Sequence, residues 1–91
     1  MRKILFSQAF EDILSKFLEK NPFLKERVWE VFNLLSENVF APSLRTHKLH
    51  GRLYKLYACK IDYGYRLLFS FDKSFIHPHT IGTHTQVYKS N

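Results

Sequence analysis

Two short segments each set a histidine among small or flexible residues: THKLHG at 46–51 and GTHTQVY at 82–88. Imidazole, with a reference pKa of about 6.5, is the side chain best suited to proton transfer near neutrality. Between them lie Lys60 and Arg66, the latter inside the apolar run YGYRLLFSF. An unpaired arginine there is costly to bury, so it must reach a carboxylate, solvent or a phosphate. A cleft joining His47, Lys60, Arg66 and His84 would hold proton-transfer groups beside fixed cations. RNA cleavage by its own 2′-hydroxyl needs that mixture. A base takes the 2′-OH proton, cations stabilise the charge growing on phosphorus, and an acid protonates the departing 5′ oxygen. The scheme uses no metal and no cofactor.

Each group also has a plainer reading. Taken alone, His84 is more often a surface or capping residue than a catalyst. His50, Tyr54 and Tyr57 read most simply as surface and packing residues, and Cys59 as a small buried hydrophobe. His77-Pro78-His79 could approach His84 and Cys59 to bind a metal. There is no CxxC, no HExxH and no aspartate in that cluster, so the expectation is no metal site.

Charge distribution adds direction. Of the 14 basic residues, six lie in residues 1–43, where six acids balance them; the other eight face only Asp62 and Asp72, which accounts for the net +6. The stretch LRTHKLHGRLYKLYACK (44–60) alone holds five Lys or Arg, two His and two Tyr, with no acid. Charge confined to one half points to a polyanion, nucleic acid being the commonest, against the alternative of a solvated surface that confers solubility. With 45% apolar and 24% charged residues in 91, the chain reads as one globular domain, 1–91. One cysteine leaves no internal disulfide and fits a reducing compartment. The opening MRKILFSQAFEDILSKF has acids breaking its apolar run, unlike a secretory signal, and no stretch is long enough to span a membrane. A cytoplasmic protein without membrane contact is expected.

The elements that must position these groups follow from periodicity. Lys3 to Phe6 suits a strand. From Ser7, a helix cap, Phe10, Ile13, Leu14, Phe17 and Leu18 share one helical face. Asn21-Pro22 supplies a cap and first-turn proline for a second helix with a stripe at Leu24, Val28, Val31, Phe32 and Leu35. After the connector Ala41-Pro42-Ser43, strands are predicted over Tyr54–Ile61, Tyr65–Phe71 and Phe75–Ile81, with turns at Asp62-Tyr63-Gly64 and Asp72-Lys73-Ser74. Pro78 calls for a bulge or an exposed edge. Gly82 ends the last strand and leaves a tail with His84 and Tyr88. The class is α+β, in the order β-α-α-β-β-β: a helical hairpin packed on a small, mostly antiparallel sheet. That order excludes RNA-recognition modules, which alternate β-α-β-β-α-β.

PSLRTHKLHGRL, YACKIDYGYRLLF and IGTHTQVY, in that order and spacing, resemble the RelE/ParE superfamily of type II toxin–antitoxin toxins. The closest branch is that of the RelE and YafQ-like ribonucleases. The resemblance spans essentially the whole chain. It implies a ribosome-dependent endoribonuclease that cuts mRNA in the ribosomal A site, and a cognate antitoxin that blocks it. By position, it implies that His84 transfers a proton, that His47 fills the histidine place of an HxLxG segment, and that Arg66 faces the scissile phosphate. Lys60 stands where YafQ-like members have histidine and keeps a cation there. Tyr88 falls beside the substrate base, and Gly64 stands where those members have aspartate, with Asp62 nearby. His77-Pro78-His79 departs from the usual apolar strand. The basic stretch then lines an RNA groove, with Arg45, Lys48, Arg52 and Lys55 on phosphates. The alternative within the superfamily is a ParE-like, non-catalytic toxin that binds DNA gyrase.

Overall fold

A computed structural model describes residues 1–89. The chain runs β1 (Lys3–Ile4), α1 (Gln8–Lys20), α2 (Lys25–Glu37), β2 (His47–Lys48), β3 (Tyr57–Asp62), β4 (Tyr65–Phe71), β5 (Phe75–Thr83) and α3 (His84–Lys89). Single 3₁₀ turns occur at Pro22–Leu24, Pro42–Leu44 and Gly51–Leu53. The five strands form one mixed sheet in the order β1-β5-β4-β3-β2. β1 pairs parallel to β5, and every other pairing is antiparallel. The α+β class and the helical hairpin on the sheet are as the sequence predicts. The sheet has one strand more than expected, and the tail is a helix.

The ends of the elements have local causes. Ser7 caps α1, its hydroxyl accepting from the Phe10 amide at 3.0 Å. Asn21 does not cap the second helix as expected: its Nδ2 donates back to the Phe17 carbonyl at 2.9 Å, closing α1. Pro22 then opens a 3₁₀ turn, and α2 begins only at Lys25. The predicted strand from Tyr54 likewise starts later, because the Leu56 amide closes a turn on the Leu53 carbonyl at 2.8 Å. β1 stops at Ile4, shorter than expected; its last ladder bond runs from the Leu5 amide to Ile76. Pro78 sits in a bulge, where Phe69 pairs with Pro78, Leu68 pairs with Thr80, and His79 is the extra residue.

One sheet face carries Cys59, Ile61, Leu67, Phe69, Ile76 and Ile81, which bury against Phe10, Leu14 and Phe17 of α1 and Val28, Val31, Phe32 and Leu35 of α2. Each large apolar side chain so buried stabilises the fold by roughly 1.5–3 kcal/mol. The opposite face is covered only in part. There Leu49, Ala58, Leu68 and Val87 form a small cluster with Leu53, Leu56 and Tyr88 against it. The polar groups of the site stand beside that cluster.

Candidate functional site

Strand alternation decides which side chains share the open face. On β3, Ala58 and Lys60 point there; on β4, Arg66, Leu68 and Ser70 do. Lys60 and Arg66 are direct cross-strand partners, and Arg66 pairs on its other side with Gly82. Two cations placed opposite each other repel, and an anion between them relieves the repulsion. No carboxylate forms an ion pair with either one among the described residues. Arg66 uses Nη1 on the carbonyls of Asp62 (3.1 Å) and Tyr65 (2.9 Å), which turns its guanidinium toward the β3–β4 turn.

His47 pairs with Ala58 and so stands on the same face, a diagonal neighbour of Lys60 at about 7–8 Å between Cα atoms. Its Nδ1 lies 3.0 Å from the Arg45 carbonyl. A carbonyl only accepts, so this bond puts the proton on Nδ1 and leaves Nε2 of the neutral ring as an acceptor facing outward. Arg45 achieves this with a left-handed backbone at φ 50°.

On the far side, α3 brings His84 and Tyr88 to the same place. Their rings meet edge-to-face at 4.5 Å, and the His84 amide donates to the Gly64 carbonyl at 2.9 Å. Burial pushes the Tyr88 phenol above its ordinary pKa, and the nearby Arg66 guanidinium pulls the other way. Gly64 has φ 82°, a conformation that suits glycine, which explains its place in a tight turn whose carbonyl holds His84. α3 itself opens with a reciprocal capping box. The Gln86 amide donates to Thr83 Oγ1 (3.1 Å), and the Thr83 amide donates to Gln86 Oε1 (3.0 Å). A β-carbon at Gly82 would lie 2.9 Å from that Oε1, so glycine lets the box close over the strand.

The structure therefore sets His47, Lys60, Arg66, His84 and Tyr88 on one face. Arg45 contributes its backbone there, while Arg52 and Lys55 lie farther along the face. Lys48 does not join them. It pairs with Tyr57 on the helix side, its ammonium 5.0 Å from that ring's centroid and bonded to the Tyr54 carbonyl at 2.7 Å. His77 is held by Asp72 at 3.1 Å. Cys59 is buried on the helix side, its thiol pushed up to about 12 by burial. Among the described residues, no three His, Cys, Asp or Glu side chains group as metal ligands. The positioning roles of Thr83 and Gln86 were missed from the sequence, although Thr83-His84-Thr85-Gln86 fits the S/T-x-x-E/Q capping pattern.

No protein-family model and no curated protein matches the sequence. Solved structures do match the fold. E. coli YafQ superposes with a TM-score of 0.80 at 16% identity, over 97% of this chain and 99% of that one. A copper-bound mutant toxin from Helicobacter pylori gives 0.79 at 22% identity, over 96% and 99%. Staphylococcus aureus YoeB, in its complex with YefM, gives 0.74 at 20% identity, over 92% and 98%. YafQ is also matched within the E. coli DinJ–YafQ toxin–antitoxin complex, at 0.77 and 17% identity, over 96% and 97%. The chain has the fold of these YafQ and YoeB structures. At these identities the likeness defines the fold, and the site must argue the chemistry.

Proposed function

We propose that this protein is the toxin of a type II toxin–antitoxin pair and a ribosome-dependent endoribonuclease that cuts mRNA without a metal. The observation that supports this most is the Lys60–Arg66 cross-strand pair, two unneutralised cations flanked by imidazoles on both sides. His47, held as the Nδ1–H tautomer, removes the 2′-OH proton through Nε2. The 2′ oxygen attacks phosphorus while Lys60 and Arg66 stabilise the extra negative charge. His84 donates a proton to the departing 5′ oxygen, giving a 2′,3′-cyclic phosphate and a 5′-hydroxyl. Tyr88 offers a ring face for the adjoining base.

The partner under this reading is a cognate antitoxin. Its acidic residues would complement the net +6, as a charged complement favours specific association. The fold likeness to YafQ and YoeB in complexes with DinJ and YefM supports that class of partner. The expected cytoplasmic setting fits a ribosomal target, and no helix among the described residues is long and apolar enough to cross a membrane. No feature of the site favours gyrase binding.

Primer extension on mRNA after induction tests the assignment. Wild type should give discrete cuts in translated message, and Arg66→Ala with His84→Ala should abolish them while the protein stays folded. Full cutting by that double variant, or inhibition of supercoiling without cuts, defeats it.

A further inference from the structure

A second cluster lies on the open face, away from the Lys60–Arg66 pair. An open pocket of about 350 Å³ forms between the Arg52–Leu56 segment and the β-bulge of β5. Arg52, Lys55 and His79 line it, with Ser70 and Leu56 beneath and Tyr54 at its side. No carboxylate lines it, and none pairs with its cations among the described residues. Lys55 rests 5.6 Å over the Tyr54 ring, and that ring is 57% exposed, so one face region offers both charge and an aromatic surface.

The bulge supplies the third polar group, the His79 imidazole. A regular ladder would give β5 no spare residue here, whereas the bulge leaves His79 outside the pairing and exposed. Its ring has no partner among the described residues. His77, two residues earlier, is already bound to Asp72. Of the two histidines around Pro78, only His79 is thus available to a ligand.

We propose that this pocket is a second RNA subsite, taking the phosphate and base of a nucleotide several positions from the one that is cut. The inference rests on the ribonuclease reading above and extends it along the strand. Arg66 and Ser70 are four residues apart on β4, which places the pocket about 13 Å from the proposed cleavage point. A single strand crosses that interval in a few nucleotides, past the partly exposed Leu53, Leu56 and Tyr88, which pack against the buried Leu49 and Leu68. Arg52 and Lys55 hold the phosphate by charge, His79 donates to it, and Tyr54 stacks on the base. An acidic peptide would satisfy the cations but would leave the exposed ring without a function, which favours RNA.

The experiment titrates the isotope-labelled full chain with uncleavable 2′-O-methyl RNA, as a dinucleotide and as an oligomer of about eight residues. In wild type, the longer RNA should shift the amides of Arg52, Lys55 and His79, and the dinucleotide only those around Arg66 and His84. Arg52→Ala with Lys55→Ala should weaken the longer RNA roughly tenfold and reduce its salt slope by about 1.4, leaving the dinucleotide unchanged. Tyr54→Ala should weaken the longer RNA by roughly fivefold or more. His79→Gln should weaken it too, again without effect on the dinucleotide. These side chains are exposed, so the fold should survive, and amide spectra will show it. Unchanged binding of the longer RNA overturns the subsite, as does equal loss at both lengths. Loss of an acidic protein partner with RNA binding intact also overturns it. Weakened long-RNA binding beside an Arg66→Ala variant that still cuts mRNA would uphold the subsite and reject the catalytic assignment instead.

Discussion

Removing the Thr83 hydroxyl should loosen α3, and His84 with it, without unfolding the protein. α3 has six residues, too few for a helix to persist in water on its own. Its order rests on the two bonds of the capping box, on the His84 amide's bond to the Gly64 carbonyl, and on Val87, which is 1% exposed, seated in the small cluster. Thr83→Ala deletes the Oγ1 acceptor of the Gln86 amide, and loss of such a cap costs about 1 kcal/mol. Because β3, β4 and β5 do not depend on that bond, the cost falls on the docking of α3. An increment of that size shifts a two-state equilibrium about fivefold. Amide exchange in α3 should therefore accelerate about fivefold, with the central strands unchanged, while mRNA cleavage, which follows the docked fraction, should fall by less than that. Thr83→Ser should restore both. If α3 exchanges at the wild-type rate in Thr83→Ala, the box does not hold the helix. If cleavage is lost without faster exchange, Thr83 acts by another route.

Gly64→Ala places a β-carbon on a residue at φ 82°, and should destabilise the fold by about 1–2 kcal/mol in urea titration, although nothing crowds the site. The Cys59 thiol, pushed up to about 12 by burial, stays protonated in the folded chain after the unfolded thiol has ionised. Its contribution is complete below about pH 8.5 and is lost as pH rises toward 12, at about 1.4 kcal/mol per unit. Unfolding curves from pH 9 to 11 should show that slope, Cys59→Ala should flatten it, and thiol reagents should label the native protein only on unfolding. Asp72 is held below its ordinary pKa first by His77, then by the Ser74 and Phe75 amides. Its stabilising effect is present above the usual carboxylate range and disappears as pH falls through the lowered value. Asp72→Asn should reduce the acid sensitivity of the β4–β5 turn in amide exchange, and equal sensitivity would count against it.

Much of this architecture was legible because it repeats a period. α1 and α2 present stripes long enough to count, Ser7 announces its helix, and Asp62-Tyr63-Gly64 announces its turn. The bulge at Pro78 follows from a missing amide. What escaped notice was short. β2 has two residues, too few to alternate, and it is recruited by the neighbouring edge of β3 rather than by its own composition. α3 has six, and Gly82 looked like a terminator, whereas it is small so that Gln86 can approach. The positions of His47, Lys60, Arg66 and His84 could be listed from the sequence. Their shared face required strand register, which also sends Lys48 to the other side.

The parallel pairing of β1 with β5 joins Lys3 to Phe75 and Ile4 to Ile76 across nearly the full length of the fold. A nascent chain that has not yet emerged past Ile76 cannot close this sheet, and His84 follows later still. Contacts so distant in sequence form slowly. β1 therefore stays unpaired until β5 has been made, and this edge of the sheet closes late in synthesis.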